Sequence, residues 1–158
     1  MQGQVSVATI NTGGGATNEV ERSTLFIGVG SENLKKIVPI NAQSDFEALI
    51  GDGTALKTQL DAWVRNGDDL VSGWAIPMTA GDDILGLIDI AMDQDVSPEI
   101  IVIGVPVTGK AIVESYQAKA QELLSKYARR VRFLLAAPGC DPTPGTGESW
   151  AEHLTALQ

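Results

Sequence analysis

The chain has 158 residues, with 11 Lys+Arg against 20 Asp+Glu, a formal net charge of −9, 44% hydrophobic residues, 17 Gly and 7 Pro. A chain of this size buries roughly 68–70% of its unfolded surface, enough for one core, so the composition excludes a wholly disordered polypeptide. The acidic balance, relieved by a single basic cluster at Arg129, Arg130 and Arg132, lacks the electrostatic footprint of nucleic-acid binding.

No apolar window reaches the roughly 18 residues that a membrane span needs. Met1-Gln2-Gly3-Gln4-Val5 has neither the basic nor the apolar region of a secretory leader, so the chain reads as cytosolic, with no membrane partner. One cysteine, Cys140, and one histidine, His153, supply neither an internal disulfide nor a Cys/His zinc site. No cofactor or metal is expected, and stability must come from packing.

The chain opens with a short alternating run, Val5-Ser6-Val7-Ala8-Thr9-Ile10, followed by Gly13-Gly14-Gly15. Three consecutive glycines maximise backbone freedom and disfavour any regular element, so residues 5–10 are tethered to the domain rather than built into it. A β-competent segment on such a hinge is an edge strand, a disordered terminus, or an arm that pairs with another molecule. Residues 1–20 are read as this segment and residues 21–158 as the folded domain.

Within that domain, Leu25-Phe26-Ile27-Gly28-Val29 predicts a firm strand, and Ile37-Val38-Pro39-Ile40, with its proline, predicts an edge or strand end. Ser44-Asp45-Phe46-Glu47 has capping-box spacing, with Ser44 as the cap, and Gly51 ends that helix. Leu56, Leu60, Trp63 and Val64 mark one face of a second helix over 54–66, with Gly67 expected as a left-handed C-terminal cap. A strand over 72–78 precedes a helix opened by Asp82 and Asp83 and carrying Ile84, Leu87, Ile88 and Met92. The two carboxylates fall where the helix dipole favours them.

Ser97-Pro98 ends that unit, and Ile100-Ile101-Val102-Ile103 reads as a strand buried on both faces. In the longest helix, over 109–128, Ile112, Tyr116, Leu123, Leu124 and Tyr127 form the apolar face, with Lys119, Gln121, Glu122 and Lys126 turned away. A strand over 131–137, a breaker-rich loop over 138–147 and a short helix carrying Trp150 and Leu154 complete the chain. Strand alternating with helix implies an α/β layered domain with a mostly parallel sheet flanked by helices. The sequence stops inside its last helix, which is read either as a frayed last turn or as a point inside a longer polypeptide.

Three features invite a chemical reading. Gly104-Val105-Pro106-Val107-Thr108-Gly109-Lys110-Ala111 has the spacing of a phosphate-binding loop between a strand and a helix. Pro106, however, lacks an amide, and Ala111 stands where the magnesium-binding hydroxyl belongs. The alternative is an ordinary turn with Thr108 as helix cap. Asp89, Asp93, Asp95 and Glu99 are rich in oxygen ligands but lack the spacing of a calcium loop. Cys140 and His153 sit in flanks that support no nucleophile–base pairing. Trp63, Trp74 and Trp150 fall on apolar faces and are read as core or interface residues. No catalytic residues are assigned, and the chain is read as a non-enzyme.

Several segments, in order, resemble the contractile tail sheath proteins of myophages, particularly those of Mu-like phages. They are Leu25-Phe26-Ile27-Gly28-Val29-Gly30, Ile37-Val38-Pro39-Ile40 leading to Ser44-Asp45-Phe46-Glu47-Ala48-Leu49-Ile50-Gly51, and the helix ending Trp63-Val64-Arg65-Asn66-Gly67. Ser97-Pro98-Glu99-Ile100-Ile101-Val102-Ile103 and Arg130-Val131-Arg132-Phe133-Leu134-Leu135-Ala136-Ala137-Pro138 follow, and together the segments cover about residues 20–157.

The resemblance implies a structural subunit that polymerises around a tail tube and contracts during DNA delivery. It implies a virion-tail location after assembly in the host cytoplasm, and partners in further copies of itself, the tube protein, and baseplate and tail terminator proteins. It also implies terminal arms that add strands to neighbours, a role that Val5, Ser6, Val7, Ala8, Thr9 and Ile10 would fill with Gly13, Gly14 and Gly15 as hinge. Sheath subunits usually continue into a C-terminal domain and a second arm, so this chain is either part of such a protein or a shorter relative. The alternatives are another tail or baseplate adaptor, or a small-molecule or nucleotide-binding domain using Gly104 to Lys110.

Overall fold

The computed structural model describes residues 23–67, 71–138, 140, 147 and 149–157. The five strands are β1 (Thr24–Val29), β2 (Val38–Asn41), β3 (Ser72–Met78), β4 (Ile100–Ile103) and β5 (Arg132–Leu135). The helices are α1 (Phe46–Ile50), α2 (Ala55–Asn66), α3 (Ile84–Asp93), α4 (Lys110–Tyr127) and α5 (Trp150–Leu157). The strands form one sheet in the order β2-β3-β1-β4-β5, in which only β2 runs antiparallel to its neighbour. The expected α/β domain with a mostly parallel sheet is therefore present.

β1 occupies the centre because its six residues, Thr-Leu-Phe-Ile-Gly-Val, are apolar enough to face helices on both sides. Leu25 and Ile27 point into a core formed with Leu87, Ile88, Ala91, Tyr116 and Leu123 of α3 and α4. Phe26 points the other way, into a second core with Phe46 and Ile50 of α1 and Leu56 and Leu60 of α2. Its ring lies 5.1 Å from that of Trp63, a tilted pair. The chain steps from β1 to β3 with helices on one face, and from β3 past β1 to β4 with a helix on the other. Right-handed crossovers require this exchange of faces when the stepping direction reverses.

The second face is incompletely covered, which corrects the expectation that β4 is buried on both sides. α1 and α2 pack over β2, β3 and β1, so Ile101 and Ile103 are buried while Ile100 and Val102 on the opposite face are only half-buried. β5 carries the consequence further: Arg132 and Leu134 lie exposed, whereas Phe133 and Leu135 pack against the α3–α4 core. β2 is the other edge strand, and Pro39 lies in it opposite Trp74, as the proline predicts.

The N-caps of α1 and α4 each differ from expectation by one residue. Asp45, not Ser44, caps α1, its Oδ1 accepting from Ala48 N at 3.1 Å, while Ser44 Oγ accepts from Asn41 N at 2.9 Å. Gly109, not Thr108, occupies the N-cap of α4 and supplies no side-chain bond. Gly67 ends α2 in extended rather than left-handed backbone. Asp82 and Asp83 precede α3 rather than entering its first turn, with Asp83 at the N-cap. A true capping box appears at α5, where Glu152 Oε2 accepts from Ser149 N at 2.8 Å and Glu152 N donates to Ser149 Oγ at 3.3 Å.

α4 shows the largest departure. Ile112 and Leu124 are exposed, Tyr116 and Leu123 are buried, and Lys119, expected to face solvent, is only 6% exposed. The stripe that meets the sheet is narrower than the apolar pattern, and Lys119 completes it. No described helix is long and apolar enough to cross a membrane.

Candidate functional site

In a doubly wound sheet, ligands bind in the crevice beyond the strand C-termini where neighbouring strands lead to helices on opposite faces. Here that point lies between β1 and β4, beside the turn that resembles a phosphate loop. The crevice is filled by the chain itself. Gly104 N donates to Ile27 O at 2.8 Å, and Val107 N donates to Ala136 O at 2.7 Å, so two of the amides that would face a phosphate are committed to carbonyls. Gln59 of α2 lies over the turn, its Nε2 donating to Gly104 O at 3.3 Å and its amide group occupying the space a Gly104 side chain would need. Leu56 stands 3.3 Å from the position a Gly28 Cβ would take. Both glycines thus serve the close approach of α2.

Two members of the acidic stretch, Asp89 and Asp93, are likewise engaged. Asp89 Oδ1 accepts from Lys119 Nζ at 2.7 Å, and Glu122 Oε2 accepts from the same ammonium at 2.9 Å. Burial pulls the Lys119 ammonium toward deprotonation, but the hydrogen bonds to Asp89 and Glu122 outweigh it and hold its pKa above the ordinary lysine value. Asp93 Oδ1 accepts from the Tyr127 hydroxyl at 3.0 Å. These contacts tie α3 to α4, so Asp89 and Asp93 serve interhelical attachment. Among the described residues no group of three or more His, Cys, Asp or Glu side chains converges to hold a metal.

Cys140 is half-buried after β5, and His153 is buried on α5, with the Trp150 ring edge-on at 5.5 Å. Trp63 and Trp74 are partly buried against the two cores, whereas Trp150 is 62% exposed and Leu154 50% exposed. The proposed arm, Val5 to Ile10, and its hinge, Gly13 to Gly15, lie outside the described residues.

What the structure adds is a surface at the β5 edge. An open groove of about 790 Å³ runs between the second half of α4 and the first residues of β4 and β5. Ile100, Leu124 and Val131 are among the side chains lining it, and Arg130, Arg132 and Glu99 supply charge. Sequence reasoning noted the arginines only as a composition feature.

The family model DUF2586, N-terminal domain, matches residues 2–158. A protein of Haemophilus phage HP1 (strain HP1c1), whose name reads "Putative tail sheath protein", is 33% identical over 163 aligned positions, covering 98% of this chain. The chain spans 42% of that relative's length. A match that extends through both cores, the edge strands and the preceding segment makes this chain a member of the DUF2586 family, of which it forms the N-terminal domain.

Proposed function

We propose that the chain is the N-terminal part of a structural subunit of a contractile phage tail sheath, which polymerises around the tail tube and shortens during DNA delivery. The observation that carries this reading is the 33% identity to the HP1 protein across 98% of the chain. The turn at Gly104 is consistent with it, since Gln59 Nε2 bonds Gly104 O and the amides of Gly104 and Val107 are committed to Ile27 O and Ala136 O. The domain acts as an inert, load-transmitting body and not as an enzyme.

In this reading residues 1–20 are an arm. Val5, Ser6, Val7, Ala8, Thr9 and Ile10 add a strand to a neighbouring copy, and Gly13, Gly14 and Gly15 form the hinge that keeps copies linked while the bodies slide. The further partners are the tube protein along the bore and the baseplate and terminator proteins at the two ends, with assembly in the host cytoplasm and residence in the virion tail.

The test is production of the full-length protein with and without residues 1–12, followed by negative-stain microscopy. Tubular or helical polymers from the intact protein, and their loss on deletion with the fold retained by circular dichroism, are the expected results. Monomers from the intact protein at all concentrations and salt levels would remove the sheath reading. Normal polymers from the deletion variant would remove the arm while leaving the sheath.

A further inference from the structure

The charge of this chain is unevenly spread, and the unevenness has a direction. Of 11 basic residues, Arg129, Arg130 and Arg132 fall within four positions where α4 gives way to β5. All three are exposed, and among the described residues none of them ion-pairs with a carboxylate, although Lys35, Lys57, Lys110 and Lys119 all do. Arg130 and Arg132 line the groove at the β5 edge together with the apolar Ile100, Leu124 and Val131, and Glu99 is the one carboxylate there. A chain of net charge −9 repels copies of itself over most of its surface, so this strip is where another acidic surface can approach.

The opposite side of the molecule supplies such a surface. Glu47 of α1, Asp52 between the helices and Asp61 of α2 all lie close enough to the Lys57 ammonium to raise its pKa, the bond to Asp61 contributing most. Three carboxylates around one lysine leave a negative excess. Asp52 is 72% exposed and Asp61 41% exposed. Leu34, also exposed, lies on the adjoining turn, which is fixed to α1 by Asn33 Nδ2 donating to Leu49 O at 3.0 Å. α1 and α2 pack on one face of the sheet, whereas α4, whose second half walls the groove, packs on the other. The two surfaces therefore cannot meet within one molecule.

We propose that the groove edged by Arg130 and Arg132 receives the acidic α1–α2 surface of a second copy of this chain, with Leu34 entering over Ile100, Leu124 and Val131. The inference builds on the reading of the protein as a polymerising subunit and names the surfaces that meet. Because the contact joins two different surfaces, it is heterologous. Repeated from copy to copy, it generates a closed ring or an open helix instead of a twofold dimer. Its electrostatic part gives association a steep salt dependence and sets the register between copies.

Sedimentation velocity of the chain at low and high salt, with charge-reversed variants, tests this. The wild type associates at low salt and dissociates as salt rises through a few hundred millimolar. Arg130→Glu with Arg132→Glu, and separately Glu47→Lys with Asp52→Lys, each weaken self-association roughly ten-fold or more. An equimolar mixture of the two variants recovers heterodimers, because the inverted groove of one now faces the inverted surface of the other. Wild-type behaviour from either variant, a monomeric wild type at low salt, or a mixture no tighter than its components would overturn the proposal. So would full-length polymers unaffected by Arg130→Glu with Arg132→Glu, an outcome that leaves the sheath reading intact. Absence of any full-length wild-type polymer would instead sink the sheath reading, while salt-dependent pairing of the chain would still uphold the contact.

Discussion

Lys119 of α4 and Asp89 of α3 meet at 2.7 Å, joining two helices across the rim of the larger core. The ammonium is nearly buried and the carboxylate 38% exposed, so the pair combines a desolvated cation with a partner that water still reaches. Removing Asp89 leaves Lys119 with Glu122 alone. Asp89→Asn is therefore expected to cost about 1 kcal/mol, less than a fully buried charged hydrogen bond because solvent screens Asp89. The sign with pH follows from the raised pKa of Lys119. The contribution is fully present below the unfolded lysine value, near ~10.4, and is lost as pH climbs through the folded one. Chemical denaturation of wild type and variant from pH 7 to 11 should give a constant difference up to about pH 10 that then narrows.

Asp82 behaves oppositely. Its carboxylate accepts from Lys35 Nζ at 2.8 Å and from Thr79 N at 2.8 Å. These two bonds, Lys35 first, lower its pKa below the ordinary carboxylate value. Stability from this group is present above the unfolded aspartate value and disappears as pH falls through the lowered one. Asp82→Ala should melt below wild type at pH 7, and the two melting curves should converge as the buffer is taken from pH 5 toward pH 2.

Gly73 sits where β3 passes β1, and a Cβ there would collide with the Thr24 carbonyl oxygen, a backbone atom that cannot swing aside. Gly73→Ala forces the two strands apart and is expected to destabilise by about 1–3 kcal/mol. Equilibrium urea unfolding measures this, and a loss below about 0.3 kcal/mol would show that the strands have slack.

Gly109 offers the reverse case. It caps α4 in extended backbone with no side-chain bond, and nothing lies within 4 Å of the position its Cβ would take. Gly109→Ser adds an acceptor for a first-turn amide without a clash. A gain of a few tenths of a kcal/mol is expected, seen as a small rise in Tm.

Much of the fold is legible in the sequence because burial there follows a single period. β3 appears over the residues expected, α2 shows its Leu56–Leu60 face, and Pro39 marks β2 as an edge. Four features escape for separate physical reasons. Lys119 is buried because two carboxylates, thirty positions upstream and three downstream, make its desolvation tolerable, and periodicity does not report a partner on another helix. Ile100 and Val102 look like a doubly buried strand, but how far α1 and α2 extend across the sheet depends on tertiary spacing. Gln59 closes the crevice at Gly104 from a position that a helical wheel assigns to a polar flank. The groove at the β5 edge forms only when residues 99–100, 120–124 and 130–132 come together, so it has no local sequence signature.

The central position of β1 also bears on biosynthesis. Thr24 pairs with Gly73 on one side and with Ile100 on the other, so β1, once out of the ribosome, waits about fifty residues for one neighbour and about seventy-five for the second. At translation speeds of 5–20 residues per second, roughly, that interval lasts several seconds, during which a strongly apolar ribbon is without its sheet. Nascent chains stalled before residue 100 should consequently engage holdase chaperones, and those released after β4 has emerged should collapse around β1 and let them go.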